Sequence, residues 1–126
     1  MIRFLYNLLF PLALLVFLPG YLVKMLRRGN YRDKFGQRLG FYDAETRARL
    51  APGATWLHAV SVGEVMIALK LAAEMKMREP ALRIVLTTTT TTGRALAVKQ
   101  APSWIEVLYT PLDFWLIMRR AFAVIR

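Results

Sequence analysis

TWLHAVSVGEVMIALKLAAEMKM, residues 55–77, begins as a short apolar run and continues as an amphipathic pattern. The apolar run at 55–60 is rich in residues that suit a buried strand, and 65–77 places its apolar residues at the roughly 3.6-residue period of a helix. Downstream the alternation repeats. Residues 83–86 form a second strand pattern, 93–100 a helix, 105–109 a third strand, 114–121 a third helix, and Val124 and Ile125 open a fourth strand. Strand alternating with helix implies right-handed βαβ crossovers and a parallel sheet with helices on its faces. The fold class expected is α/β, the first half of a Rossmann-like domain over 54–126. The sequence stops where the next strand should run, so a fragment or a truncated copy with an unfinished sheet edge is expected.

Upstream the pattern is different. Residues 27–53 carry Gly29, Gly36, Gly40, Pro52 and Gly53 among mixed polar residues, which suggests a basic connector with one short helix. Before it, residues 4–23 contain no formal charge, and as a helix they would extend about 30 Å, the thickness of a bilayer's hydrocarbon core. One transmembrane helix within 1–26 is therefore expected, kinked at Pro11 and Pro19. Lys24, Arg27, Arg28, Arg32, Lys34 and Arg38 follow this segment, while Arg3 alone precedes it. That bias puts the rest of the chain in the cytoplasm, at the inner membrane, with the cations against anionic headgroups. A cleaved signal would have a shorter apolar core, a more basic start and a small-residue cleavage site.

The formal charge of +10 points to an anionic partner: lipid, a phosphorylated substrate or nucleic acid. Nucleic acid ranks last, because the cations crowd beside an apolar span rather than interleaving with aromatic residues on one face. The absence of cysteine excludes disulfides and thiolate metal sites, and one histidine argues against an all-protein zinc site. No metal or cofactor is expected.

In open α/β sheets ligands bind beyond the carboxyl ends of the strands, so 58–64, 87–93 and 109–113 are the informative segments. His58 ends a strand, Ser61 is placed to cap the next helix, Gly63 permits close backbone approach and Glu64 lies in the first helical turn. The free N–H groups of that turn suit a phosphate or carboxylate. Glu64 equally reads as a plain first-turn acid complementing the helix dipole. The threonine run 87–92, with Thr89, Thr90 and Thr91 at its centre, reaches Gly93 at the following helix; its hydroxyls suit capping or sugar binding. Asp113 reads as a helix cap, with Pro111 ending the strand. Trp56, Trp104 and Trp115 read as core or membrane-interface residues.

WLHAVSVGE at 56–64, VLTTTTTTG at 85–93 and YTPLD at 109–113, in that order and spacing, resemble the amino-terminal domain of the 3-deoxy-D-manno-octulosonic acid (Kdo) transferases. An amino-terminal membrane segment and the basic tract KFGQRLGFY at 34–42 extend the resemblance over essentially the whole chain. The tract departs in one place, with Gln37 where the family usually has glutamate before the arginine. The resemblance implies a GT-B glycosyltransferase that moves Kdo from CMP-Kdo to the tetraacylated lipid A precursor. It implies Glu64 as general base, with His58, Ser61, Gly63, Thr89, Thr90, Thr91, Gly93 and Arg38 on the substrate side. A helix amino terminus lowers a carboxylate's pKa, so Glu64 is expected to be ionised but weakly basic. The nucleotide-sugar domain is absent from these residues and becomes an expected partner. The competing class is a basic membrane adaptor or remnant that binds anionic lipid without chemistry and is indifferent to Glu64→Gln.

Overall fold

The computed structural model describes residues 2–27 and 34–125. Among these the elements run α1 (Ile2–Arg27), α2 (Phe35–Arg38), α3 (Ala44–Leu50), β1 (Thr55–Ala59), α4 (Val62–Arg78), β2 (Ile84–Thr88), α5 (Thr91–Gln100), β3 (Ile105–Tyr109) and α6 (Trp115–Val124). The strands form one parallel sheet in the order β1-β2-β3, with Thr55 opposite Ile84 and Ile84 opposite Ile105. The expected α/β alternation is therefore present.

The side chains of each strand alternate between two packed layers, as the two-residue period of a strand requires. Ala59, Ile84, Leu86 and Ile105 meet Val65, Ala68 and Ala72 of α4 and Ala97 of α5. On the opposite face Val85 and Leu108 meet Tyr42, Leu50 of α3, and Ala121 and Ile125 at the end of α6. Trp56 completes this second layer, its indole edge-on to Phe122 with ring centres 5.2 Å apart. Small alanines at the helix contacts let α4 and α5 approach the sheet closely, and β2 is buried along its whole length.

Three sequence expectations are corrected here. The segment 27–53 holds two short helices rather than one, and it packs: Gln37, Arg38, Thr46 and Leu50 are buried. Asp43 caps α3 by accepting the Thr46 N–H at 2.7 Å, and Arg49 reaches across to Glu106 of β3 at 2.8 Å. The fourth strand expected at Val124 and Ile125 does not form, because the Ile125 N–H still donates to the Ala121 carbonyl at 2.8 Å and keeps Ile125 on the helical ladder. Asp113 does not cap α6; Phe114 occupies the cap position without a side-chain bond, and Asp113 instead accepts from Tyr6. Arg28 and Arg32 of the basic tract lie outside the described residues.

Where a membrane span is expected there is one long helix, with Pro11 and Pro19 inside it. Among the described residues no helix is long and apolar enough to cross a membrane. Leu8, Leu9, Leu12, Leu15, Val16 and Phe17 of α1 are nonetheless exposed. Its first turns rest on the loop after β3. The Tyr6 hydroxyl donates to the Asp113 carbonyl at 3.0 Å, and Phe10 stacks on Phe114 at 5.8 Å.

Gly40 ties the short helices to α6. It sits at φ +76°, and a Cβ there would lie 3.0 Å from the Arg120 Cβ and the Ile117 carbonyl oxygen. A left-handed conformation costs a non-glycine residue about 1–2 kcal/mol before any clash is added. Gly40→Ala is therefore expected to destabilise the chain by about 2–3 kcal/mol, read as a lower urea midpoint at unchanged slope.

Candidate functional site

The carboxyl ends of the three parallel strands lie side by side, and the loops that lead into α4, α5 and α6 flank the crevice that an open α/β sheet leaves at this end. The first loop is self-capped. Ser61 accepts the Glu64 N–H at 3.3 Å, and Glu64 reaches back to accept the Val60 N–H at 2.8 Å and the Ser61 hydroxyl at 3.1 Å. This reciprocal arrangement satisfies donors that a helix start otherwise leaves open. Ser61 is thus the N-cap, as its position in the sequence suggests, and α4 begins at Val62 instead of Val65.

Both Glu64 oxygens are therefore engaged, although the side chain is exposed. Its pKa is lowered, first by the Val60 backbone bond, then by the Ser61 hydroxyl, with a smaller contribution from the charge of His58. The direction is the one expected from the sequence; the leading cause is the bond to Val60. Gly63 is exposed beside it, and a Cβ there would meet nothing nearer than the Ser61 Oγ at 4.0 Å. Among the described residues no neighbour requires glycine at this position.

The second loop repeats the device. Thr90 caps α5, accepting the Gly93 N–H at 3.0 Å, and its hydroxyl donates to the Val60 carbonyl at 3.3 Å, which joins the first two loops. Gly93 is buried, and a Cβ would come 2.8 Å from the Thr90 Oγ1, so its role is packing under the cap. Thr89 is exposed just after β2 and Thr91 is the first residue of α5.

Arg38 is not a free surface cation. It is 9% exposed, donates to the Thr89 carbonyl at 2.8 Å and lies 4.2 Å over the Tyr109 ring, with Arg94 at 4.9 Å from the same ring. Its neighbour Gln37 accepts the buried Tyr109 N–H at 3.0 Å. A neutral carboxamide oxygen meets that need, so glutamine is adequate at this position. The sequence reading placed Arg38 with substrate and left Gln37 without a role; the structure gives both a role in holding α2 to the end of β3.

The third cluster joins residues that the sequence did not connect. His58 and Thr87 are directly paired across β1 and β2. The Thr87 Oγ1 accepts the Trp56 indole N–H at 2.8 Å, donates to the Leu57 carbonyl at 3.3 Å and lies 3.1 Å from the His58 Nδ1. Thr110 lies 3.2 Å from the same nitrogen and receives the Thr89 hydroxyl at 3.4 Å. Thr87, Tyr109 and Thr110 lie in the segments that the sequence marks as informative and Arg94 just outside them, but their pairing depends on strand register, which periodicity does not supply. A cavity lined by Arg49, Lys76, Arg83, Trp104 and Glu106 lies toward the other end of the sheet. Its cations are occupied: Arg49 pairs with Glu45 and Glu106, and Lys76 and Arg83 donate to backbone carbonyls. Among the described residues no group of acidic, histidine or cysteine side chains is arranged to hold a metal.

Residues 33–126 match the family described as 3-deoxy-D-manno-octulosonic-acid transferase (kdotransferase). The chain belongs to this Kdo transferase family. It is similar to the 3-deoxy-D-manno-octulosonic acid transferase of Chlamydophila psittaci, with 32% identity covering 92% of this chain and 27% of that protein. The transferase of Chlamydia pneumoniae is 30% identical over 96% of this chain and 28% of its own length. That of Haemophilus influenzae is 33% identical over 67% of this chain. The chain thus spans little more than a quarter of the two chlamydial relatives, and no solved structure matches it.

The capped loop predicts an acid sensitivity. A carboxylate whose pKa is lowered on folding stabilises the fold fully above its unfolded value, and that stabilisation is lost as the pH falls through the folded value. For Glu64 the loss should begin below about pH 4.5, the ordinary value from which it is lowered. Glu64→Gln should reduce the stability difference between pH 7 and pH 3 measured by urea unfolding. Ser61→Ala should cost about 1 kcal/mol at pH 7 through loss of the cap.

Proposed function

We propose that this chain is the acceptor-side part of a transferase that moves Kdo from CMP-Kdo to the lipid A precursor during lipopolysaccharide core biosynthesis. Membership of the family supports the reaction class. The observation that carries the reading to this chain is the crevice, where Glu64, His58 and the threonine hydroxyls share the carboxyl end of one parallel sheet. That is where an open α/β sheet receives its ligand. The acceptor is an acylated, phosphorylated glucosamine disaccharide, and the exposed hydroxyls and loop amides suit its polar head.

The acyl chains call for a membrane surface, and α1 supplies an exposed apolar one. With cations following it in sequence, α1 suits a helix that lies against the inner membrane and leaves the sheet on the cytoplasmic side, facing anionic lipid. The contacts from Tyr6 and Phe10 to the loop after β3 would then hold the crevice mouth beside the lipid surface. The donor-binding domain would be the chain's partner, and the donor CMP-Kdo the only other small molecule required. Nucleic acid has no place in this reading.

In the transfer itself the acceptor oxygen attacks the anomeric carbon of Kdo and CMP departs, so a group in the crevice must take the acceptor's proton. Glu64 and His58 both have exposed side chains at this end of the sheet. The rival reading, a lipid-binding adaptor without chemistry, makes both residues dispensable.

The test is transfer of Kdo from CMP-Kdo to the lipid A precursor by membranes containing this chain together with a donor-binding domain. Transfer should need both parts and fall by tenfold or more with Glu64→Gln, as expected for loss of a charge at the reacting centre. Lipid binding without transfer, unchanged by Glu64→Gln, would establish the adaptor instead.

A further inference from the structure

The sheet has two edges, and the chain treats them differently. A parallel ladder turns alternate residues of an edge strand away from their partner. The Thr55 N–H donates to the Arg83 carbonyl, so Thr55, Leu57 and Ala59 face β2, and Trp56 and His58 turn their backbone N–H and carbonyl groups outward. In β3 the Thr110 N–H donates to the Thr88 carbonyl, which leaves Ile105, Val107 and Tyr109 outward. That outer edge is largely closed. The Ile105 N–H donates to the Pro102 carbonyl, the Tyr109 N–H to the Gln37 side chain, and the Leu112 N–H just beyond to the Arg38 carbonyl. Arg49 of α3 pairs with Glu106 of the same strand. Among the described residues no backbone partner meets Trp56 or His58 on the outer side of β1.

The layers beside β1 are uncovered in the same place. Glu64, Ile67 and Leu71 recur at the three- and four-residue steps that make one stripe of a helix. Glu64 reaches the Val60 N–H just past the end of β1, so this stripe of α4 lies on the β1 side. Ile67 is 68% exposed there and Leu71 49%. On the opposite face Phe122 of α6 rests edge-on against Trp56 and is itself 57% exposed. Free backbone groups with apolar side chains uncovered above and below them form a template for another strand. The sequence of β1, TWLHA, carries neither the proline nor the lysine that commonly blunts an exposed edge.

Resting on the fold and the family membership alone, we propose that β1 pairs along this edge with one further parallel strand, from the part of the Kdo transferase that this chain does not span. α6 sets the direction. It starts beside the loop after β3 and crosses the sheet to β1, where Val124 joins the cluster that holds Ala54 and Trp56. A strand entered from there runs alongside β1 in the same sense, by the crossover that parallel sheets use. The relatives have the length for it, since this chain covers only 27% and 28% of the two chlamydial transferases. The strand order then reverses at β1, and such a reversal is where open α/β sheets bind ligand. The crevice therefore has its second wall in the loop after the added strand, across from His58 and Glu64 in the loop after β1.

The test is residue-resolved amide exchange in micelles at low protein concentration. It compares the chain with a chimera in which it replaces the matching part of the Chlamydophila psittaci transferase. In the chain alone Trp56 and His58 should exchange about 100-fold or more faster than Leu57 and Ala59, which are bonded to β2. In the chimera these amides should exchange within about tenfold of one another. Trp56 and His58 still fast in a chimera whose Leu57 and Ala59 are slow would overturn the proposal. Slow exchange of Trp56 and His58 in the chain alone would also overturn it, and protection that grows with concentration would assign the edge to a second copy of the chain. Replacing Ile67→Lys and Leu71→Lys together gives an independent reading. The urea midpoint of the chain should stay unchanged while that of the chimera falls. An equal effect on both, no effect on either, or a chimera that fails to fold while the chain alone folds, would reject the docking edge.

Discussion

The complete burial of β2 governs the rest of the structure. Every residue from Ile84 to Thr88 is enclosed, so its peptide groups must pair with β1 on one side and β3 on the other. Its side chains must also be covered on both faces, which calls for α4 and α5 on one and α3 and α6 on the other. At the carboxyl end Thr87 and Thr88 are buried hydroxyl residues in a strand otherwise apolar. Thr87 meets its requirement through Trp56, Leu57 and His58. The constraint that makes β2 a core strand thereby orders the polar side chains of the crevice.

The same economy runs through the loops. Ser61 and Glu64 cap α4, Thr90 caps α5 and ties its loop to Val60, and Arg38 secures Thr89 from below. Groups that look like ligand contacts in the sequence are here bonded to backbone. A crevice whose walls are already internally bonded loses little entropy when it binds, which is the preorganisation that favours binding and catalysis. Among the described residues, Glu64, His58 and Thr89 keep exposed side chains at this end of the sheet.

The alternation of strand and helix was legible because β1, β2 and β3 are short apolar runs and α4 carries a strong helical period. Ser61 was legible because an N-cap is a local signal. The packing of α2 and α3 was not, since Gln37 and Arg38 are polar residues buried through contacts with Tyr109 and Thr89, about fifty to seventy positions away. Helix starts shifted toward their caps for a related reason: the threonines at 91 and 92 have modest helix propensity, and the Thr90 cap outweighs it. The pairing of His58 with Thr87 depended on register, and Asp113 was diverted from capping by the distant Tyr6. The motifs fall together at the carboxyl end of the sheet, while the partners of each residue there came from tertiary structure.

The proposed function requires the carboxyl end of the sheet to receive a phosphorylated, acylated sugar beside a lipid surface. Hydrogen–deuterium exchange of the chain in micelles, with and without the lipid A precursor, tests this most directly. Added protection at 60–64, 89–93 and 110–113, beyond that given by an equal amount of anionic phospholipid, is the predicted result. Protection along α1 alone, equal for both lipids, would contradict it and leave a membrane-binding helix without an acceptor site.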